Sequence, residues 1–380
     1  MKILQVGKFY FPSPGGIETV VQTLSEGLVR LGDEVSVLCA AETAKRSLET
    51  INGVKVIREP YFGSLLSQPL TPTLPLSLRR LVREFDLVNF HSPNPLSEVL
   101  GLTMNRSTPS TTTYHADIVR QRLLKPFYRP LLRTFLKRQR RIFVPTRSHI
   151  EQSEFIRDLG EHCSVIPFGI EPHRLRATGA LKDRAAELRG KYGKFILFVG
   201  RLVEYKGLKY AIEAMAKLQH THADWKLIIV GDGPLKAELS ALAVASGIAD
   251  RVILTGHVSS GDEILSYYEA CEVFLLPSIT KAEAFGMVLL EAMSFAKPLL
   301  TTRICSGVSE VNADGVSGIQ VAPADAEALT QALSRLASDK TLRDKLGVGA
   351  KQRFDSLYTA DAMVRSYRAQ YDEVVNGGRT

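Results

Sequence analysis

Short apolar runs alternate with stretches of 3.6-residue apolar periodicity along most of this chain. In the first half, strands are predicted at 2–6, 35–40, 54–58, 87–90, 111–114, 142–144 and 164–166, and helices at 16–31, 76–84, 130–140 and 148–159. Runs apolar at nearly every position suit strands of a parallel sheet buried on both faces. The alternation pauses over 167–194, where Pro167-Phe-Gly-Ile-Glu-Pro172 leads into a charged stretch at 182–194. It restarts with strands at 195–199, 226–230, 252–255, 273–276, 298–301 and 319–321, and helices at 208–219, 234–246, 262–270, 285–295 and 326–337. Two further helices are expected at 341–354 and 360–375. The pattern predicts an α/β protein of two doubly wound halves with a cleft between them. Ligands of such sheets sit outside the carboxyl ends of the strands, so the loops that follow strands are where chemistry is expected.

A length of 380 residues accommodates both halves. No apolar run approaches the roughly 20 residues needed to span a bilayer, and Met1-Lys-Ile-Leu-Gln-Val-Gly7 turns polar too soon for a secretory signal. Cys39, Cys163, Cys271 and Cys305 are scattered without metal-ligand spacing. A reducing, cytoplasmic compartment and no zinc site are expected. The net charge of +8 suits an anionic partner. Nucleic acid, an anionic membrane and a phosphorylated substrate all stay open at this level, beside a merely basic soluble protein.

Five loops that follow strands carry candidate chemistry. Glu283-Ala-Phe-Gly-Met-Val-Leu-Leu-Glu291 places two carboxylates eight residues apart, the first in a loop and the second in the predicted helix. At 1.5 Å rise per residue they are separated by roughly 12 Å along the axis. The first-turn N–H groups of Phe285, Gly286 and Met287 would point at an anion between them. Gly200-Arg201-Leu-Val-Glu-Tyr-Lys206-Gly207 supplies a fork donor and a point charge able to neutralise a diphosphate. Gly15 and Gly16 open a helix and allow close backbone approach to a ligand, or form a plain turn. Thr111-Thr-Thr-Tyr114-His115-Ala-Asp117 ends a β-branched strand in His and Asp, and His91 stands similarly after Val88-Asn-Phe90. Glu283, Arg201, Lys206 and the histidines each have a bland reading too, as solvated charges or hydrogen-bonded structural side chains. The chain has no Asp-x-Asp, Walker loop, G-x-S-x-G elbow or G-x-G-x-x-G fingerprint.

Together these motifs resemble the retaining GT-B glycosyltransferases of group 1, family 4, whose E-x7-E element matches Glu283 and Glu291. The likeness extends over almost the whole chain and is most specific between 195 and 320. It implies a GT-B fold with an acceptor-binding domain at 1–170, a nucleotide-sugar-binding domain at 171–358 and a final helix, 359–380, crossing back to the first domain. It implies catalytic roles for His115 and Glu283 at the transferred sugar. Donor contacts are implied for Gly15, Gly16, Arg201, Lys206, Phe285, Gly286, Met287, Val288 and Glu291, with the base held near Val258. His91 and Asp117 are candidate acceptor contacts. No cofactor and no metal ion are expected, the nucleotide-sugar being a substrate. The motif context resembles mannosyltransferases of surface-polysaccharide assembly, which implies GDP-mannose; UDP-glucose and UDP-N-acetylglucosamine stay open. The expected acceptor is a lipid-linked or other saccharide.

Residues 120–141 hold nine Lys and Arg and no acid. Arg129, Arg133, Lys137 and Arg141 follow i, i+4 spacing, so a basic amphipathic helix is expected to bind an anionic membrane surface. The apolar, Pro-rich segment 62–76 is a second candidate contact. The expected placement is peripheral, on the inner face of the cell membrane, with no nucleic-acid partner. Two rival enzyme classes are a GT-B-like sugar-nucleotide epimerase and a nicotinamide-dependent dehydrogenase, the latter lacking its fingerprint. A non-enzymatic binder would explain the charge but not Glu283 and Glu291.

Overall fold

All thirteen expected strands form, each within two residues of its predicted ends, in a computed structural model describing residues 1–13, 15–65, 68–104, 107–117, 125–171, 179–258 and 261–377. The chain divides into two units, residues 1–170 with 359–380, and residues 171–358. Unit 1 contains β1 (Lys2–Val6), α1 (Gly16–Arg30), β2 (Glu34–Ala40), β3 (Ser47–Ile51), β4 (Val54–Glu59) and the short pair β5 (Ser64–Leu65) and β6 (Gln68–Pro69). It continues through α2 (Leu74–Leu81), β7 (Leu87–Ser92), α3 (Pro95–Thr103), β8 (Ser110–Tyr114), α4 (Lys125–Arg138), β9 (Arg141–Val144), α5 (Arg147–Gln152) and β10 (Cys163–Val165). Its sheet runs β10-β9-β8-β7-β1-β2-β4-β3, parallel except for β3. Unit 2 contains α6 (Gly179–Tyr192), β11 (Lys194–Val199), α7 (Leu208–Lys217), β12 (Trp225–Val230), α8 (Lys236–Ala245), β13 (Val252–Gly256), α9 (Gly261–Ala270) and β14 (Val273–Leu276). It ends with α10 (Met287–Ser294), β15 (Leu299–Thr302), α11 (Val308–Val311), β16 (Gly318–Val321), α12 (Ala326–Ser338) and α13 (Lys340–Leu357). Its parallel sheet, β13-β12-β11-β14-β15-β16, is the doubly wound order that reverses after its first strand. Helix α14 (Ala360–Asn376) returns to unit 1 and packs on α1, where the bare backbone of Gly27 leaves space for Val364.

Several elements depart from expectation. The helix expected at 148–159 breaks after α5, because Ser153 Oγ accepts the N–H of Phe155 (3.1 Å) and starts a separate turn. That turn buries Phe155 and Ile156 completely. The helix expected from 285 starts at Met287, because Gly286 sits at φ 79°. Pro234 lies in a turn ahead of α8, not at its first position. Strand β3 was not expected; its turn to β4 uses Asn52 and Gly53 at φ 47° and 82°, the left-handed pair typical of tight hairpins. Helices α3 and α6 were also unexpected, α6 (Gly179–Tyr192) overlapping most of the charged stretch at 182–194. Residues 172–178 of the expected inter-domain segment lie outside the described residues.

Candidate active site

In unit 2, β11 and β14 are the neighbours at which the strand order reverses. The loops that leave their carboxyl ends are stitched together by the Ile279 N–H, which donates to the Tyr205 carbonyl (2.8 Å). Gly207 sits at φ 67°, so close to the other loop that a Cβ would lie 2.2 Å from the Pro277 oxygen. This approach makes an ion pair of Lys206 Nζ and Glu283 Oε2, whose side chains are 9% and 11% exposed. Ser278 Oγ donates to the same carboxylate oxygen (3.1 Å). Arg201 is exposed, and its guanidinium makes no hydrogen bond or ion pair among the described residues. The two expected phosphate cations therefore differ: Lys206 is held by a carboxylate, while Arg201 is open to an anion.

The anion site expected from Phe285, Gly286 and Met287 is revised. Phe285 and Gly286 precede α10, and Phe285 is buried with its ring edge-on to Tyr358. Met287 and Val288 lead the helix, since the Leu289 N–H already bonds the Gly286 carbonyl (2.8 Å). Glu291 lies only in the second turn, and Glu283 stands before the glycine kink, so the axial separation of an unbroken helix does not apply. Burial pushes the Glu291 carboxyl above its usual range, and the hydrogen bond from Tyr268 opposes the shift. Tyr268 Oη donates to Glu291 Oε2 at 2.5 Å. Its ring is fully buried, lying against Phe274 and Phe295. Val258 is half-buried, two residues past Gly256 at the end of β13.

In unit 1, Gly15 precedes α1, and both Gly15 and Gly16 are exposed. The space left by the missing Gly15 side chain is taken by Glu18, whose Oε2 would lie 2.0 Å from a Cβ there. Burial pushes the Glu18 carboxyl up and the Lys8 ammonium down, each opposed by the other's charge. Glu98, wholly buried on α3, is pushed up to about 7 by burial, against the N–H of Asn94 that it accepts at 2.9 Å. His91 and His115 come together: His91 Nδ1 faces His115 Nε2 at 2.9 Å. Burial holds His91 down to about 3 and His115 well below the usual histidine range. Phe168 lies over His115 with ring centroids 5.0 Å apart. Asp117 Oδ1 accepts from Tyr114 Oη and Ser153 Oγ, both at 2.7 Å, and so ties the end of β8 to the chain after α5.

The basic stripe expected over 120–141 does not hold as one helix face. Arg141 belongs to β9, beyond the end of α4. Arg133 is paired with Asp158 (2.9 Å). Arg138 donates to the carbonyls of Leu102 and Met104 (2.5 and 3.2 Å). Arg129 and Lys137 remain exposed, and residues 120–124 lie outside the described residues. Phe62, Leu70 and Leu76 are exposed. Among the described residues, no three His, Cys, Asp or Glu side chains gather as a metal site, and no helix is long and apolar enough to cross a membrane.

Gln5 and Asn89, whose amides lie 3.0 and 3.3 Å from His91 Nε2, were not anticipated as parts of these clusters, nor were Tyr268 and Ser278. Gln5 and Asn89 had a legible signal, a polar residue inside an otherwise apolar strand; Tyr268 and Ser278 had none.

Residues 181–353 match the family model described as glycosyl transferases group 1, and residues 14–174 match that described as glycosyltransferase family 4. The chain is 31% identical over 369 residues to O-antigen chain mannosyltransferase C of Escherichia coli, with 97% of each chain covered. It is 32% identical over 362 residues to the D-rhamnosyltransferase WbpZ of Pseudomonas aeruginosa, covering 95% of this chain and 93% of that protein. Among solved structures, a sucrose-phosphate synthase of Thermosynechococcus elongatus superposes with a TM-score of 0.80 at 20% identity, over 99% of both chains. That likeness is one of fold, the GT-B architecture.

Proposed function

The chain belongs to the group 1 glycosyltransferases, and on this basis we propose a retaining, metal-independent hexosyltransferase of surface-polysaccharide synthesis with GDP-mannose as donor. The observation that carries the site is the Lys206–Glu283 pair beside open Arg201 at the strand reversal of unit 2, with Glu291 in the helix that follows. In this reading Arg201 and the leading N–H groups of α10 receive the diphosphate, where fixed donors stabilise the charge that develops on the leaving group. Lys206 turns from Glu283 to the phosphates when donor binds, freeing the carboxylate for the sugar hydroxyls. Glu291, oriented by Tyr268, takes the ribose. His115 contacts the sugar near the reacting carbon. No side chain is assigned as a nucleophile; a phosphate oxygen of the donor takes the acceptor proton as the new bond forms on the same face. The mannosyl and rhamnosyl relatives support the donor sugar, since D-rhamnose is 6-deoxymannose and shares its axial 2-hydroxyl.

The acceptor is a lipid-linked or other saccharide, met at the inner face of the cell membrane, with exposed Phe62, Leu70, Leu76, Arg129 and Lys137 as the contact. The test is transfer from GDP-mannose to a lipid-linked saccharide in excess chelator, with the new linkage read by NMR. An α-linked product supports the proposal. A β-linked product overturns retention, loss of activity restored by a divalent ion overturns metal independence, and turnover only with a UDP-sugar overturns the donor. Free sugar or an isomer formed without acceptor would favour an epimerase.

A further inference from the structure

The sheet of unit 1 has two unlike faces. One is apolar, with Leu4, Val6, Val88, Phe90, Ile142 and Val144 in a hydrophobic core. The other carries Gln5, Asn89, His91, Thr111 and Thr113 at alternate positions of β1, β7 and β8, all buried. Parallel strands covered on both faces are ordinarily apolar throughout, and a buried polar group left unpaired costs about 1–3 kcal/mol. This row is paired within itself. Thr111 Oγ1 donates to Asn89 Oδ1 (2.9 Å), and Asn89 Nδ2 donates to Gln5 Oε1 (2.8 Å) and Thr113 Oγ1 (3.1 Å). Gln5 Nε2 donates to Tyr371 Oη (3.4 Å), and Thr113 Oγ1 meets Tyr367 Oη (3.2 Å), both tyrosines on α14. Gln5 Oε1 also faces His91 Nε2 at 3.0 Å.

The order of protons follows from these partners. An amide oxygen only accepts, so His91 carries its proton on Nε2. Asn89 Nδ2, 3.3 Å from the same nitrogen, has both hydrogens committed elsewhere. A neutral His91 then has a lone pair on Nδ1, and only a proton on His115 Nε2 completes the 2.9 Å bond. His115 Nδ1 is left bare, and no protein group among the described residues bonds it. We propose that Gln5, acting through His91, is a positioning residue that holds His115 as its Nε2–H tautomer and offers the Nδ1 lone pair to a hydroxyl of the transferred sugar. The inference rests on the reading of His115 as a sugar contact. Burial, which disfavours both imidazolium forms, keeps the relay neutral. Phe168 and the Nε2–H of His149, donated to the His115 carbonyl (3.2 Å), restrain the ring and its backbone.

The test is a long-range proton–nitrogen correlation spectrum of the full chain labelled with 15N-histidine, assigned with single histidine variants. The expected wild-type spectrum has both rings protonated at Nε2 and bare at Nδ1. Gln5→Met removes the acceptor while nearly keeping the volume, and should invert both tautomers. With a donor in place of an acceptor at His115 Nδ1, kcat should fall about tenfold or more, the worth of one hydrogen bond. A proton on Nδ1 of His115 in the wild type overturns the proposal whatever the variants do. So does a Gln5→Met protein with unchanged tautomers and rate. Undiminished transfer by His115→Ala would overturn the sugar contact, and with it the acceptor role, even with the expected tautomers in the spectrum.

Discussion

Lys206 and Glu283 illustrate how a single residue's role depends on its partner. Breaking a buried ion pair leaves the remaining charge unpaired and costs about 3–5 kcal/mol, while replacing both members by apolar groups is often neutral. Lys206→Met alone should therefore lower the free energy of unfolding by several kcal/mol in denaturant titration. The double variant Lys206→Met, Glu283→Leu should recover most of that loss. Neither should transfer sugar, which separates the pair's part in stability from its part in chemistry. His91 makes a second residue-level prediction. The unfolded chain binds a proton to His91 below about pH 6.5, while the folded chain keeps the ring neutral down to about 3. This contribution to stability is whole above pH 6.5 and is lost as pH falls toward 3. Between pH 7 and 5 the loss from this one ring is about 2 kcal/mol. His91→Gln should flatten the pH dependence of unfolding by that much; an unchanged slope would show that the ring is not held neutral.

At the level of elements, strands were the most legible part of the chain, because burial on both faces demands apolar runs wherever a central strand lies. Helix ends were less so. Apolar periodicity continues through Phe285 and Gly286, yet the positive φ of Gly286 starts α10 only at Met287. A β-carbon at 286 would also stand 3.0 Å from Leu289 and 3.2 Å from Leu276. Gly286→Ala should thus cost about 1–2 kcal/mol in left-handed strain alone. It should also weaken nucleotide binding by moving the Met287 and Val288 N–H groups, as calorimetric titration with GDP would measure. Unaltered affinity would mean these groups do not meet the diphosphate. The hairpin turn at Asn52 and Gly53 had a readable signal that the apolar pattern overshadowed: β3 has four exposed residues out of five and lies at the sheet edge.

For the whole molecule, a net charge of +8 and the exposed groups Phe62, Leu70, Leu76, Arg129 and Lys137 lead to an expectation about surfaces. Binding to vesicles rich in anionic lipid should weaken with salt, since exposed charges are screened within about 8 Å at physiological ionic strength. Arg129→Ser with Lys137→Ser should weaken it further, while Arg133→Ser, already paired with Asp158, should matter less. Equal effects of all three, read by vesicle co-sedimentation, would remove the assigned contact. The basic stripe shows where local pattern misleads. Spacing placed Arg133, Lys137 and Arg141 on one face, but a strand begins at Arg141, and packing gave Arg133 a carboxylate. Local pattern was sufficient for the two doubly wound sheets and for the loops that carry Arg201, His115 and Glu283, because strand burial and loop motifs are each written within a few consecutive residues. The pairing of Lys206 with Glu283, of Tyr268 with Glu291 and of Gln5 with His91 depended on the order in which strands and helices pack. That order joins residues 23 to 86 positions apart, and no stretch of neighbouring side chains encodes it.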